Sequence, residues 1–340
     1  MITVVIPTIG RATLRATVAG VGPGVPVIVV DDRKGSCAPL GLSPSVRVVR
    51  SGGRGPAAAR NAGWRAAGTP WVVFLDDDVV PGPGWAEAAW KDLVDLPDDV
   101  GGSQGRIVVP LPAGRRPADA ERNTAGLAGA LWATADMAYR RAALEAAGGF
   151  DERFPRAYRE DADLALRVRR AGWRLVRGGR VSEHPVRADG FWASVRFQRG
   201  NADDALMRRL HGPGWRTAIG DGPGRLRTHA ATTAAALTAL LLTAAAATPP
   251  ARAWRRPVPA GEAPAQVRRW RRSHVAARIL PVLAVAVGGV WAGLTAEFAW
   301  RRIAPGPRTP GEVLRMAVTS VLIPPVAVAY RLRGEWKVRR

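Results

Sequence analysis

Three consecutive aspartates, Asp76, Asp77 and Asp78, follow the apolar run WVVFL (71–75). Adjacent carboxylates repel one another, yet this chain of net charge +22 gathers them at one point. A hard divalent cation relieves that repulsion, because carboxylate oxygens bind magnesium or manganese and the same ion takes the oxygens of a diphosphate. A solvated acidic turn shows the same residue types. The wholly apolar run before these aspartates, however, places them where a buried strand emerges. Along an extended chain, Asp76 and Asp78 share one side, while Asp77 points to the other and orients them.

A second acidic group lies in GGFDERFPRAYREDADLALRVRRAGWRLV (148–176). Glu160, Asp161 and Asp163 open a helical pattern whose apolar positions include Leu164, Leu166 and Val168. Acidic residues in a first turn favour the helix dipole, and Asp163 precedes Arg167 by one turn. A carboxylate pair leaving a loop of glycine, proline and aromatic residues also offers a general base in a pocket.

These groups need elements to hold them. ITVVI (2–6), VPVIVV (25–30), VRVV (46–49) and WVVFL read as short buried strands rich in valine and isoleucine. PAAARNAGWRAAG (56–68) fits a helix between two of them. Strand and helix in alternation predict an α/β domain with a mostly parallel central sheet. Ligands bind such sheets beyond the carboxyl ends of the strands. Asp31 and Asp32 follow one strand and the aspartate triplet follows another, so both are expected on one edge.

The ordered set VVIPTIGR, VIVVDD, GPAAARNAGWRAAGTPWVVFLDDDVVP, ATADMAYRR and GGFDERF…REDADLALRVRRAGW, over about residues 1–210, resembles a family 2 glycosyltransferase of the GT-A fold. The resemblance implies transfer of a sugar from a nucleotide-diphosphate donor to an acceptor hydroxyl, with inversion. It places Pro7 and Thr8 beside the nucleotide, Asp31 or Asp32 at the base, and Arg60 and Asn61 close to the donor. Asp76 and Asp78 resemble the Asp-x-Asp of the ribose and metal site, with Asp77 between them. The resemblance implies Asp78 as the first candidate metal ligand, with Asp76 and with His184 in VSEHPV, which resembles a late histidine near the metal or diphosphate. Glu160 and Asp161 match the catalytic pair, with Asp161 as base. The implied cofactor is manganese or magnesium. Asp136 departs from the family, which often has asparagine or another small polar residue there. FQRGNADDALMRR (197–209) only loosely matches the Gln-x-x-Arg-Trp of processive synthases, which implies a non-processive enzyme.

Composition changes after residue 225. Residues 228–340 carry 17 Lys+Arg and 4 Asp+Glu. Apolar stretches lie at 228–247, 275–300 and 316–330, and a bilayer span needs about 20 mostly apolar residues. Arg-rich flanks at 252–272 and 331–340 are expected on the cytoplasmic side, so 275–297 and 313–330 would form a membrane hairpin. The stretch 228–247 would lie in the interface or against the protein. The expected organisation is a catalytic domain over 1–215, a linker over 216–227 and a basic membrane-associated region over 228–340. The expected partners are the donor, membrane lipid and a lipid-linked or cell-envelope glycan acceptor. The catalytic domain would face the cytoplasm.

Other classes fit less well. Of 340 residues 47% are hydrophobic, enough for a core, and 50 are Lys+Arg against 28 Asp+Glu. Only three are Lys, an arginine bias that GC-rich coding also produces. The basic surplus sits beside apolar runs and no nucleic-acid-binding module is recognisable, so no nucleic-acid partner is expected. A phosphatase of the haloacid dehalogenase class would start with its Asp-x-Asp strand and use a later lysine. Here only Lys91 and Lys337 follow. No G-x-G-x-x-G follows the first strand, against a nicotinamide enzyme. Cys37, the single cysteine, excludes an internal disulfide. MITVVIPTIG begins directly as a strand, so no secretory signal is expected there. An inactive transferase-like membrane scaffold is the remaining alternative.

Overall fold

The computed structural model describes residues 1–35, 38–187, 190–247 and 263–339, with side chains undescribed over 263–277. Cys37 and residues 252–262 of the Arg-rich flank lie outside the described residues. The chain divides into two compact units. One comprises Met1–Gly190, Gly200–Pro223 and Arg333–Arg340; the other comprises Phe191–Arg199 and Gly224–Leu332.

The first unit is built on eight strands: β1 (Ile2–Thr8), β2 (Val27–Asp31), β3 (Arg47–Arg50), β4 (Trp71–Leu75), β5 (Val80–Pro81), β6 (Val100–Val108), β7 (Asp136–Arg140) and β8 (Arg174–Glu183). Their order is β3-β2-β1-β4-β7-β6-β8-β5. The β3-β2-β1-β4 block is parallel. β1, β2 and β4 are apolar and buried, as strands covered on both faces must be. β3, expected from VRVV as a buried strand, is instead a largely exposed edge strand with an arginine at each end. β6 and β8 are also parallel, whereas β7 runs antiparallel to β4 and β6, and β5 antiparallel to β8.

Helices cover both faces. They are α1 (Leu14–Val21), α2 (Pro56–Ala66), α3 (Trp85–Val94), α4 (Asp119–Ala125), α5 (Arg141–Ala146) and α6 (Glu160–Arg170). After these come α7 (Ala193–Arg196), which belongs to the second unit, and α8 (Gly200–His211) and α9 (Trp215–Ala218) of the first. The pleat of β4 sorts its residues. Trp71, Val73 and Leu75 join the core with Leu14 and Val21 of α1 and Trp85 and Leu93 of α3. Val72 and Phe74 join the other core with Trp64 of α2 and Leu164 and Val168 of α6. Gly63 lets α2 approach this closely, since a Cβ there would stand 2.3 Å from Val5 Cγ1.

A smaller core gathers Phe154, Leu166, Met207, Trp215 and Ile219. Residues 216–223, inside the stretch expected as a linker, are therefore held in this unit.

In the second unit lie α10 (Leu226–Ala247), α11 (Ala263–Ile303) and most of α12 (Pro310–Arg339). Among the described residues, three segments are long and apolar enough to cross a membrane: Leu226–Ala247, Arg278–Ile303 and Pro310–Arg339. The first covers the 228–247 stretch expected to lie in the interface. Leu240, Leu241, Val282 and Val285 stand exposed on these helices.

Candidate active site

The parallel register brings three strand ends flush. Thr8 pairs with Asp31, Pro7 with Val30, and Val5 with Phe74. Pro7, Thr8, Asp31, Asp32 and Asp76–Asp78 therefore lie at one carboxyl edge. β4 ends at Leu75, and a turn closed by the Val79 N–H on Asp76 O divides the triplet, so the alternation expected of an extended chain does not carry through it. Asp76 meets Arg60 of α2, and Asp77 meets Thr8 and Arg11.

Arg60 of α2 is fully buried and is the hub on the first side. Its Nη2 donates to Asp76 Oδ1 at 2.7 Å and its Nη1 to Glu160 Oε1 at 2.7 Å. Burial opposes its charge, but Asp76 and Glu160 hold its pKa above the usual value. One guanidinium thus faces three carboxylates, Asp76, Glu160 and the partly buried Asp161. Burial pushes Glu160 up to about 8, against Arg60, with Asp161 adding to the rise. Burial also raises Asp161, while the Ala162 N–H, Arg60 and Arg159 oppose the rise. Glu160 Oε2 and Arg60 Nε are buried and lack hydrogen-bond partners among the described residues. The cluster holds more acid than Arg60 neutralises, so burial favours a proton on the pair.

Asn61, one position on, is turned to structural use. Its Nδ2 donates to Phe150 O and Glu152 Oε1, and its Oδ1 accepts from the Trp64 indole and the Phe150 N–H. It fastens the loop before the acid pair to α2.

On the other side, Asp77 accepts from Thr8 Oγ1 at 2.6 Å and Arg11 Nη1 at 2.5 Å. It locks the first loop rather than orienting its neighbours. Asp31 takes both Nε and Nη2 of Arg33, and that pairing holds its pKa below the usual carboxylate range. Asp32 accepts from Ser51 Oγ at 2.6 Å and from the Gly55 N–H at 2.9 Å. An open cavity of about 600 Å³ lies here, lined by Ile9, Asp32, Arg33, Lys34, Arg54 and Pro155 among others. Of its three cations, Arg33 is paired to Asp31 and Arg54 to Glu152, and Lys34 completes the polar lining beside Asp32.

Asp78 is buried, with Oδ2 paired to Arg187 and Oδ1 without a hydrogen-bond partner among the described residues. His184 Nε2 is 3.9 Å from that Oδ1. Its Nδ1–H donates to Pro185 O at 3.1 Å, the tautomer that leaves Nε2 with a lone pair. An orphaned carboxylate oxygen beside an available imidazole fits a divalent cation. Asp76 is tied instead to Arg60, and no group of three His, Cys, Asp or Glu suited to a metal occurs among the described residues. Magnesium and manganese bind in just such sparse sites when substrate phosphates complete the shell.

Several key residues escaped the sequence. Arg11 and Arg187, spacing-blind partners of the triplet, are two. The departure at Asp136 is another: its carboxylate accepts from Trp85 Nε1, Ser182 Oγ and Arg180 Nε, all in the core. An acid in place of a small polar residue was the available signal, answered by a buried arginine 44 positions later.

Residues 3–142 match the model of the family described as Glycosyl transferase family 2. Two curated relatives from Mycobacterium tuberculosis (strains CDC 1551 / Oshkosh and ATCC 25618 / H37Rv), each called pre-mycofactocin glycosyltransferase, are 34% identical over 196 residues. The match covers 51% of this chain and 40% of theirs, so the chain spans about two fifths of the curated relatives' length. Similar solved structures include glucosyl-3-phosphoglycerate synthase from Mycobacterium tuberculosis with Mn2+, UDP and phosphoglyceric acid. It is 19% identical with a TM-score of 0.43, over 63% of this chain and 79% of that one. S. aureus TarS is 15% identical with a TM-score of 0.37, over 63% of this chain and 41% of that one.

Proposed function

We propose that this chain, whose residues 3–142 carry a Glycosyl transferase family 2 segment on the GT-A fold, is a membrane-anchored, inverting, non-processive glycosyltransferase. It moves one sugar from a nucleoside-diphosphate donor to an acceptor hydroxyl. One observation carries the reading: Arg60 joins the aspartate at a strand end to an acid pair 100 residues away, leaving that pair short of positive charge.

The donor's diphosphate lies against the cationic cavity, with its nucleoside beside Pro7, Thr8 and Asp32. Asp161, partly exposed and raised in pKa, takes the proton of the acceptor hydroxyl. The acceptor oxygen forms its bond to the anomeric carbon as the bond to the diphosphate oxygen breaks on the opposite face. A single base suffices for this displacement, unlike the two-carboxylate logic of glycoside hydrolysis. Glu160 stays protonated below about pH 8 and so leaves the negative charge on Asp161. Arg33, Lys34 and Arg54 line the cavity, Arg33 and Arg54 while paired to Asp31 and Glu152, and would meet the charge that builds on the diphosphate. Asp78 and His184 would hold a manganese or magnesium ion, which supplies further neutralisation of the leaving diphosphate.

The apolar helices hold the enzyme at the cell membrane, with the catalytic unit in the cytoplasm, where nucleotide sugars are made. The acceptor is then a lipid-linked or cell-envelope glycan. The relatives' name makes pre-mycofactocin a second acceptor to test.

A thermal-shift screen of the detergent-solubilised chain with UDP-, GDP- and TDP-sugars plus manganese tests the donor site, since a binder stabilises according to its occupancy. No shift with any of them would leave the inactive scaffold as the better reading. Retention in the pellet after high salt, with release by detergent, tests the anchor.

A further inference from the structure

The residue just before the acid pair, Arg159, has φ +76°. That left-handed conformation is uncommon outside glycine and persists in a large side chain only when the surroundings over-determine it. Arg159 caps α6, its carbonyl accepting from the Asp163 N–H at 2.9 Å. Its side chain is gripped from two sides. Nε donates to Asp204 Oδ1 at 3.0 Å and Nη2 to Asp221 Oδ2 at 2.9 Å. The guanidinium lies over the rings of Tyr158 and Trp215, 4.6 and 4.7 Å from their centroids. Arg216 bonds the same two carboxylates and stacks on Trp215 as well. Glycine would take this turn without strain, so the position uses the arginine side chain rather than the backbone alone.

We propose that Arg159 is a positioning residue: the Asp204–Arg159–Asp221 clamp holds the left-handed turn that aims Glu160 and Asp161 at the strand edge. Residues 200–221, beyond the family-matched segment, thereby set the geometry of the acid pair. The inference rests on the glycosyl-transfer reading. The charged and titratable groups around the pair are Arg60 of α2, Asp76 after β4, Tyr139 of β7 and Arg159 itself. Arg167, on α6, reaches Tyr139 electrostatically. Arg159 opposes protonation of Asp161, so it contributes charge as well as geometry.

Three variants separate these roles: Arg159→Gly accepts the turn but loses the clamp, Arg159→Lys keeps only the charge, and Asp221→Asn weakens one grip. With the donor found by the thermal-shift screen, Arg159→Gly is expected to lower kcat about ten- to hundred-fold at unchanged donor KM. Its acidic pH limb should move to higher pH. Arg159→Lys should restore that limb but not kcat, and Asp221→Asn should fall between wild type and Arg159→Gly. Wild-type kcat and pH limb in Arg159→Gly would overturn the proposal, as would an unmoved limb with equal kcat losses in the Gly and Lys variants. If Arg159→Gly does not fold, the comparison passes to Asp221→Asn, where an unchanged kcat overturns it. If the wild type transfers no sugar, glutamate carboxyl-13C titration, assigned with Glu160→Gln, still tests the clamp. An unmoved Glu160 titration in Arg159→Gly would then reject the positioning role, separately from the failed transfer reading.

Discussion

Two fully buried arginines, Arg60 and Arg180, tie strands to helices in the same unit, and they do opposite things with their carboxylates. Arg180 of β8 donates through Nε to Asp136, through Nη1 to Asp92 and Ser103 Oγ, and through Nη2 to Ser103 O. Asp136 is completed by Trp85 and Ser182. Around Arg60, by contrast, Glu160 Oε2 and the arginine's own Nε lack hydrogen-bond partners among the described residues, and a third acid stands beside the pair. A closed network specifies the fold. An open one, short of positive charge, is ready to exchange a proton or accept a charged ligand. Burial alone does not tell them apart; completeness does.

The contrast breaks most readily at Asp136. Asp136→Ala leaves Arg180 buried and stripped of its Nε partner, so chemical denaturation should show a loss of about 3–5 kcal/mol. Glu160→Gln, at the open cluster, should cost far less, and similar losses at both would erase the distinction. Activity should divide the other way: Asp161→Asn is expected to lower kcat about 10²–10⁴-fold with little change in thermal midpoint, as for a lost general base. A smaller effect concerns pH. Glu160 binds its proton more tightly folded than unfolded, because its pKa rises from 4.5 to about 8. Folded-state stability should therefore fall as pH rises through that window and level off above it. Glu160→Gln should flatten this decline; an equally steep slope in the variant would place the titration elsewhere. The smallest expected change is at Arg187. Removing its charge from Asp78 with Arg187→Ala should tighten manganese binding about three- to ten-fold, read by calorimetry. Unchanged or weaker binding would mean that the arginine does not compete with the ion.

Much of this edge was legible beforehand. Three strands of the parallel block were readable because strands covered on both faces must be apolar throughout, and ITVVI, VIVV and WVVFL leave no other economical reading. β3 lies at the edge and is largely exposed, which its two valines did not announce. The acid pair was readable because Glu160 and Asp161 open a helix after a loop marked by glycine and proline. β6, with its sequence VGGSQGRIV, was hidden. Its glycines at 101 and 102 make room for Trp173, Leu175 and Met137, neighbours that only the fold supplies. Nor did composition separate 228–247 from the other apolar stretches, since helix length and apolarity alone make all three able to span a bilayer.

The sequence by itself determined where the carboxylates lie along the chain: at the ends of buried strands and at a helix start, because periodicity and strand termini are local properties. Only the tertiary structure decided which cation each carboxylate meets. The turn after β4 sends Asp76 to Arg60 and Asp77 to Thr8 and Arg11, while Asp78 meets Arg187, 109 residues away. Asp31 and Asp32 are adjacent, yet one binds Arg33 and the other Ser51 and the Gly55 N–H. Partnership is a matter of a few ångströms, and separations of 100 residues become such distances only when register and packing are set. The vacancy for charge at Glu160 and Asp161 is therefore a property of the fold, written in residues that the sequence merely lists.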